Sequence, residues 1–259
     1  SKAFKKYSVP IGLLKYRLQN TRTLGHQIEY ARRMNKETLF DDPESGDAQT
    51  AQHQILDSML SENKLKSYFE AGRKQKNALL ITKDGFVISG NRRLCCWREL
   101  YNKNSVKYSH FEFIDVCILE EENDSPLIDK IEALQETDES IQSRFAWFPV
   151  IMRFEKILDN YPDPQDGYKR IINLYMNSKY IRKTYESQRI TEINEWIDTA
   201  SLAKNMIENN NATLDFINDN EFAFVEWNKG FGKLQITKPL DSDLYNEIAK
   251  KVVLTDSSK

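Results

Sequence analysis

Two adjacent arginines behind a glycine carry most of the chemistry that this sequence offers. Residues 79 to 100 read LLITKDGFVISGNRRLCCWREL, where Gly90 closes an apolar run and Asn91-Arg92-Arg93 open what reads as a helix. Glycine lets backbone approach a ligand, and the first turn of a helix offers unpaired N–H groups at the positive end of its dipole. Two guanidiniums at that place suit an anion, most naturally a phosphate. A second reading has equal physical ground: a solvated helix start whose arginines pair with the acidic residues between 112 and 140.

Other reactive side chains are present without a concentrating pattern. Glu120-Glu121-Glu122-Asn123-Asp124 reads as a solvated loop, because consecutive acids alternate direction on any regular element. Glu132, Glu136 and Glu139 fall at helical spacing, so they either position Mg²⁺ against a bound phosphate or solvate the helix. His26, His53 and His110 have no metal-ligand spacing and read as ordinary residues, and no metal site is expected. Cys95 and Cys96, among Leu94, Trp97 and Leu100, read as buried core thiols, with the nearby helix start as the one influence that would lower a thiol pKa. Glu99 reads as a solvated helix residue. With Cys117, the three cysteines make neither a disulfide framework nor a CxxC site.

The elements that must position these residues follow from periodicity. Ala78 to Thr82 and Phe86 to Gly90 are short apolar runs about Lys83-Asp84-Gly85, which predicts a β-hairpin, and Leu94 to Tyr101 continue as a helix. Upstream, Lys5 to Pro10 reads as a strand, Gln27 to Lys36 as a helix, and Asp41 to Asp47 as a loop. A helix from about Ala48, jointed near Ser61, ends at Gly72. Downstream, His110 to Leu119 reads as a strand, with helices at Pro126 to Gln135 and Arg144 to Asn160. Tyr161-Pro162-Asp163-Pro164 reads as a linker. Helices are expected after it at Asp166 to Met176, Lys179 to Ser187, Gln188 to Asn209 and Asp241 to Val253. Phe222 to Trp227 fits a hairpin or a helix equally well.

The hairpin, turn and helix start, xDGxxIxGxRR, resemble the phosphate-binding box of the ParB/sulfiredoxin superfamily, usually written GERR. Asn20-Thr21-Arg22 stands where the ParB pattern has a polar-Pro-Arg segment, Asn77-Ala78 where it has Gln-Pro, and Glu132 to Glu136 where it has Glu-Asn-x-Gln-Arg. The resemblance spans about residues 7 to 160 and is specific at Gly85, Gly90, Arg92 and Arg93. It implies an α+β fold: a ParB/sulfiredoxin-like N-terminal domain with a small mixed sheet, residues 1–160, and a mostly helical C-terminal domain, residues 165–259. It also implies a nucleoside triphosphate, CTP or ATP, with or without Mg²⁺, held by Gly90, Asn91, Arg92 and Arg93, with Arg22 and Gln135 as further contacts. Asn91 replaces the glutamate of the box and Ala133 the metal-associated asparagine, so catalysis has only Glu132 and Glu136 as candidates. Sulfiredoxin's cysteine aligns with Asn91, which argues against repair of oxidised cysteine.

Charge completes the sequence-level reading. The formal net charge is -2, yet residues 1 to 40 sum to +7 and residues 112 to 140 to -10. Residues 165 to 190 sum to +4, through Lys169, Arg170, Lys179, Arg182, Lys183 and Arg189 against Asp166 and Glu186. In that stretch, Arg170 to Ile181 resembles a helix-turn-helix, with Asn177-Ser178 as the turn and Tyr180 and Ile181 on the inner face of a recognition helix. The leading expectation is a cytoplasmic homodimer whose bound nucleotide gates DNA association. A phosphotransferase or DNA-processing nuclease on the same scaffold, and a non-catalytic protein-binding adaptor, are the alternatives. No run of eighteen uncharged apolar residues occurs, so no membrane partner is expected.

Overall fold

A computed structural model of the chain describes residues 5–60, 65–120, 126–137, 146–176, 178–237, 251 and 253. The fold is α+β, and its contacts group into two compact units. One is Ser1–Thr23 with Met34–Glu132, and the other is Leu24–Arg33 with Ala133–Lys259. Helices α1 (Thr21–Arg33) and α5 (Pro126–Thr137) each cross a unit limit. The linker read at Tyr161–Pro164 falls inside the second unit.

The first unit is built on a mixed sheet in the order β1-β5-β3-β4-β2, with β1 Lys6–Pro10, β2 Lys15–Tyr16, β3 Leu79–Thr82, β4 Phe86–Ser89 and β5 Phe113–Leu119. The predicted hairpin is β3 and β4, paired antiparallel. Gly85 closes it at φ 91°, a left-handed conformation that side chains resist, while the Phe86 N–H donates to Thr82 Oγ1 at 3.0 Å. Strand β3 is central, with parallel β5 on its other side, which is why Leu79 and Ile81 need no polar neighbours and are buried.

Helix α4 (Asn91–Lys103) continues from β4 and packs against α2 (Gly46–Leu60) and α3 (Leu65–Glu70). Its apolar face brings Leu94, Cys95, Cys96, Trp97 and Leu100 into the core with Leu79, Val87, Ile114 and Val116. Trp97 anchors that packing, edge-on to Phe69 at 5.4 Å and stacked on Phe111 at 5.5 Å. The helix start at 91 is therefore held from both ends, by the hairpin before it and the aromatic cluster after it.

The second unit is helical among the described residues, with α6 (Trp147–Asp159), α7 (Pro164–Tyr175), α8 (Glu186–Glu208), α9 (Leu214–Asp219) and α10 (Glu221–Thr237). Helix α6 is at its centre, buried along Trp147, Phe148, Val150, Ile151, Phe154 and Ile157, and Trp147 Nε1 donates to the Ile217 carbonyl at 2.9 Å. Asp163 caps α7 by accepting the Gln165 N–H, with Pro164 as the first helical residue. Phe222 to Trp227, which fitted two structures in sequence, are helical.

The helix expected at Lys179 to Ser187 does not form. The chain is turn or irregular from Ser178 to Tyr185, and α8 begins at Glu186. Tyr180 and Ile181 are buried as expected, but from this connecting stretch and not from a recognition helix. The cause is a set of side chains further along the chain: Glu192 Oε2, one and a half turns into α8, accepts the N–H groups of both Arg182 and Lys183, and Arg189 Nε donates to the Lys183 carbonyl. These side chains satisfy the backbone that a helix would have satisfied itself. Apart from Lys251 and Val253, the expected helix at Asp241 to Val253 lies outside the described residues, as do residues 121–124 of the acidic run.

A candidate anion-binding turn at the start of helix α4

Gly90 is the hinge of the site. It stands at φ 112° and ψ 19°, and a β-carbon there would lie 2.4 Å from Leu79 Cδ2 and 2.8 Å from Arg93 Nη2. Only glycine fits a backbone so turned and so crowded. Because Gly90 has no side chain, none caps α4, and the first turn keeps its N–H groups for another acceptor. Asn91 is buried, donating Nδ2 to the Val87 carbonyl at 2.8 Å, while its Oδ1 is buried without a hydrogen-bond partner.

Arg92 and Arg93 are half-buried beside this turn. Burial pulls both guanidiniums below their ordinary pKa, since desolvation disfavours the charged form. Arg93 Nη1 donates to the Asn77 carbonyl at 2.9 Å and its guanidinium lies 6.0 Å from the Trp97 ring. Neither arginine meets a carboxylate among the described residues. The pairing with acids that sequence left open is thus not made there. Two desolvated cations at an uncapped helix start can hold a phosphate through their N–H donors without displacing a carboxylate.

The remaining named residues are placed as follows. Arg22 sits in the first turn of α1 within the first unit, its N–H held by Asn20 Oδ1 at 3.1 Å. Gln135 and Glu136 are on α5, and their side chains lie outside the described residues. Glu132 is buried and clamped by Arg17, whose Nη1 reaches Oε1 at 3.2 Å and Oε2 at 3.1 Å, with Asp129 3.9 Å from Nη2. In the second unit, Lys179 is paired with Glu221 at 2.7 Å, Lys169 with Asp166 at 3.3 Å, and Arg182 and Lys183 are exposed.

Two further groupings escaped the sequence reading. His53 on α2 is bridged, 2.7 Å from Tyr16 Oη at Nδ1 and 2.7 Å from Glu99 Oε1 at Nε2, so Glu99 is a partner and not merely a solvated residue. Arg98 lies over the Tyr16 ring and donates to the Ile11 and Leu14 carbonyls. Cys95 Sγ is 3.6 Å from His53 Nδ1, yet burial above all, with Asp57 and Glu99, pushes its pKa up to about 12, and burial takes Cys96 to about 11. Burial outweighs the helix start, so both thiols are protonated and unreactive at neutral pH. The other grouping is Arg73-Lys74-Gln75-Lys76, whose plain signal in sequence is three cations in four residues.

An open cleft of about 640 Å³ lies in the first unit, lined by residues of the segment 35–47 that include Lys36, Glu37, Asp42 and Asp47; none of the turn residues 90–93 line it. No group of three or more potential metal ligands occurs among the described residues, and none of their helices is long and apolar enough to cross a membrane.

The hairpin, the left-handed glycine and the two arginines define an α+β unit in which two half-buried cations follow an uncapped helix start. No family model and no curated protein matches the chain. Among solved structures it is similar to a Pnob8-like ParB-N domain, with 12% identity, a TM-score of 0.43, and coverage of 98% of this chain and 94% of that one.

Proposed function

We propose that the chain is a nucleotide-binding protein that associates with nucleic acid, and that Gly90, Asn91, Arg92 and Arg93 take the phosphates of a nucleoside triphosphate with its Mg²⁺. One observation carries the reading: the consecutive residues Arg92 and Arg93 are both desolvated, without a carboxylate among the described residues, at a helix start that no side chain caps. Burying cations unpaired is unfavourable, and a bound polyanion removes that penalty. The resemblance of residues 79 to 93 to the GERR box agrees in chemistry.

The proposal is one of binding rather than turnover. Glu132, a candidate base, is already neutralised by two hydrogen bonds from Arg17, and an amide at Asn91 takes no proton. Titration of ATP, CTP, GTP and ADP with Mg²⁺ against thermal stability tests the reading. A ligand at a hundred times its Kd should add roughly 2.7 kcal/mol. That shift should vanish in Arg92→Ala with Arg93→Ala, and its absence with every nucleotide would reject the proposal.

A further inference from the structure

Residues 73 to 76 form an exposed basic strip in the same unit as the turn, and its construction points to a second ligand. Arg73, Lys74 and Lys76 are all exposed, and none meets a carboxylate among the described residues. The strip is nonetheless fixed in place. Gln75 between them behaves as a piece of strand: its Nε2 donates to the Asp115 carbonyl at 2.7 Å and its Oε1 accepts the Asp115 N–H at 2.8 Å. Arg73 lies over the Tyr68 ring at 4.7 Å, and Lys76 and Arg73 are the cations that act on its phenol. Slight burial raises the Tyr68 pKa, but those two cations outweigh it and the phenol ends below its ordinary value. Lys74 acts likewise on His110, whose pKa burial first and then Lys74 lower.

The strip joins the turn directly, because Arg93 Nη1 donates to the carbonyl of Asn77, the residue after Lys76. Five cations, Arg73, Lys74, Lys76, Arg92 and Arg93, thus lie along one connected piece of backbone and side chain, with Asp115 the acid whose backbone it touches. Five cations exceed what one nucleotide needs, and three of them stand outside the turn.

We propose that Arg73, Lys74 and Lys76 hold the phosphate backbone of duplex nucleic acid, through charge and without reading sequence. Cations unmatched by acids on a rigid exposed strip are the electrostatic footprint of a phosphodiester chain. A single strand binds by stacking its bases on bare aromatic faces, and the one ring that the strip itself touches, Tyr68, is covered by Arg73, so the strip offers charge and not a stacking platform. The inference rests on the nucleic-acid half of the function proposed above and is independent of its nucleotide half.

The test is binding of the full chain to a short labelled duplex of arbitrary sequence, followed by fluorescence anisotropy at about 50 and 200 mM salt. The wild type should bind with a steep salt dependence. Arg73→Ala with Lys74→Ala and Lys76→Ala should weaken binding about 10- to 100-fold at low salt and flatten the slope by roughly three, one unit per lost phosphate contact. Lys74→Gln with Lys76→Gln, which keeps the Arg73–Tyr68 stack, should lose part of this with unchanged thermal stability. Arg182→Ala with Lys183→Ala should stay within about two-fold of wild type. Equal affinity of the strip variants and the wild type, a preference for the single strand, or loss confined to the Arg182 and Lys183 variant would each overturn the inference. Failure of the wild type to bind any nucleic acid would overturn it too, while a nucleotide-induced stabilisation of the same sample would leave the turn's role standing.

Discussion

Two basic stretches of this chain have similar composition and opposite fates. Around the second unit's loop, Lys179 is paired with Glu221 and Arg189 is spent on the Lys183 carbonyl, while Glu192 takes the backbone N–H groups of Arg182 and Lys183 and leaves their side chains exposed. At the first unit's turn and strip, Arg73, Lys74, Lys76, Arg92 and Arg93 have no carboxylate among the described residues, and the last two are desolvated as well. The first arrangement uses charge to shape a loop. The second leaves charge to be satisfied by something else. A local count of lysines and arginines does not separate the two, since it depends on which acids the fold delivers.

The comparison can be broken where a cation has its partner. Glu132→Ala takes from the buried Arg17 the carboxylate that accepts both of its Nη1 hydrogen bonds, and should cost about 3–5 kcal/mol in denaturant unfolding. Next in size is Gly90→Ala, which forces a side chain into a left-handed turn and onto Leu79 and Arg93; a loss on the order of 3 kcal/mol is expected. Buried thiols give a smaller effect with a defined sign. Cys95 and Cys96 have pKa values raised in the folded protein to about 12 and about 11, from 9.0. The folded state therefore holds protons that the unfolded state releases, so stability is complete below pH 9 and falls as pH rises toward 11 and beyond. Smallest of all, Arg92→Ala with Arg93→Ala should change stability by less than about 1 kcal/mol or increase it, because these cations are unpaired. A large loss on that substitution would show that the turn is structural.

Much of the first unit was legible because its signals are local. Alternating apolar runs about Asp84-Gly85 specify the hairpin, and a glycine before Asn-Arg-Arg specifies the helix start. Whether the two arginines meet acids does not follow from those few residues, because it depends on where the acids of 112 to 140 fold, and the α+β class rests on the resemblance. Illegible features share one physical cause, a partner distant in sequence. Glu192 reaches back over Arg182 and Lys183 and removes the helix read at 179 to 187; nothing in the four-residue rhythm of Tyr180 and Ile181 announces that. Glu132 meets Arg17 across 115 residues, and His53 finds Glu99 across 46. The strip at 73 to 76 was visible as composition and passed over because it matches no motif. Its significance depends on Gln75 fixing it to β5 and Arg93 tying it to the turn.

The central claim is that Arg92 and Arg93, which meet no carboxylate among the described residues, hold a polyphosphate. Nucleotide titration against thermal stability, with Mg²⁺, in the wild type and in Arg92→Ala with Arg93→Ala, tests it most directly. The account predicts a concentration-dependent rise in melting temperature for at least one nucleoside triphosphate in the wild type and none in a folded double variant. An unchanged melting temperature of the wild type at saturating concentrations of all four nucleotides, or an equal rise in both proteins, would contradict it.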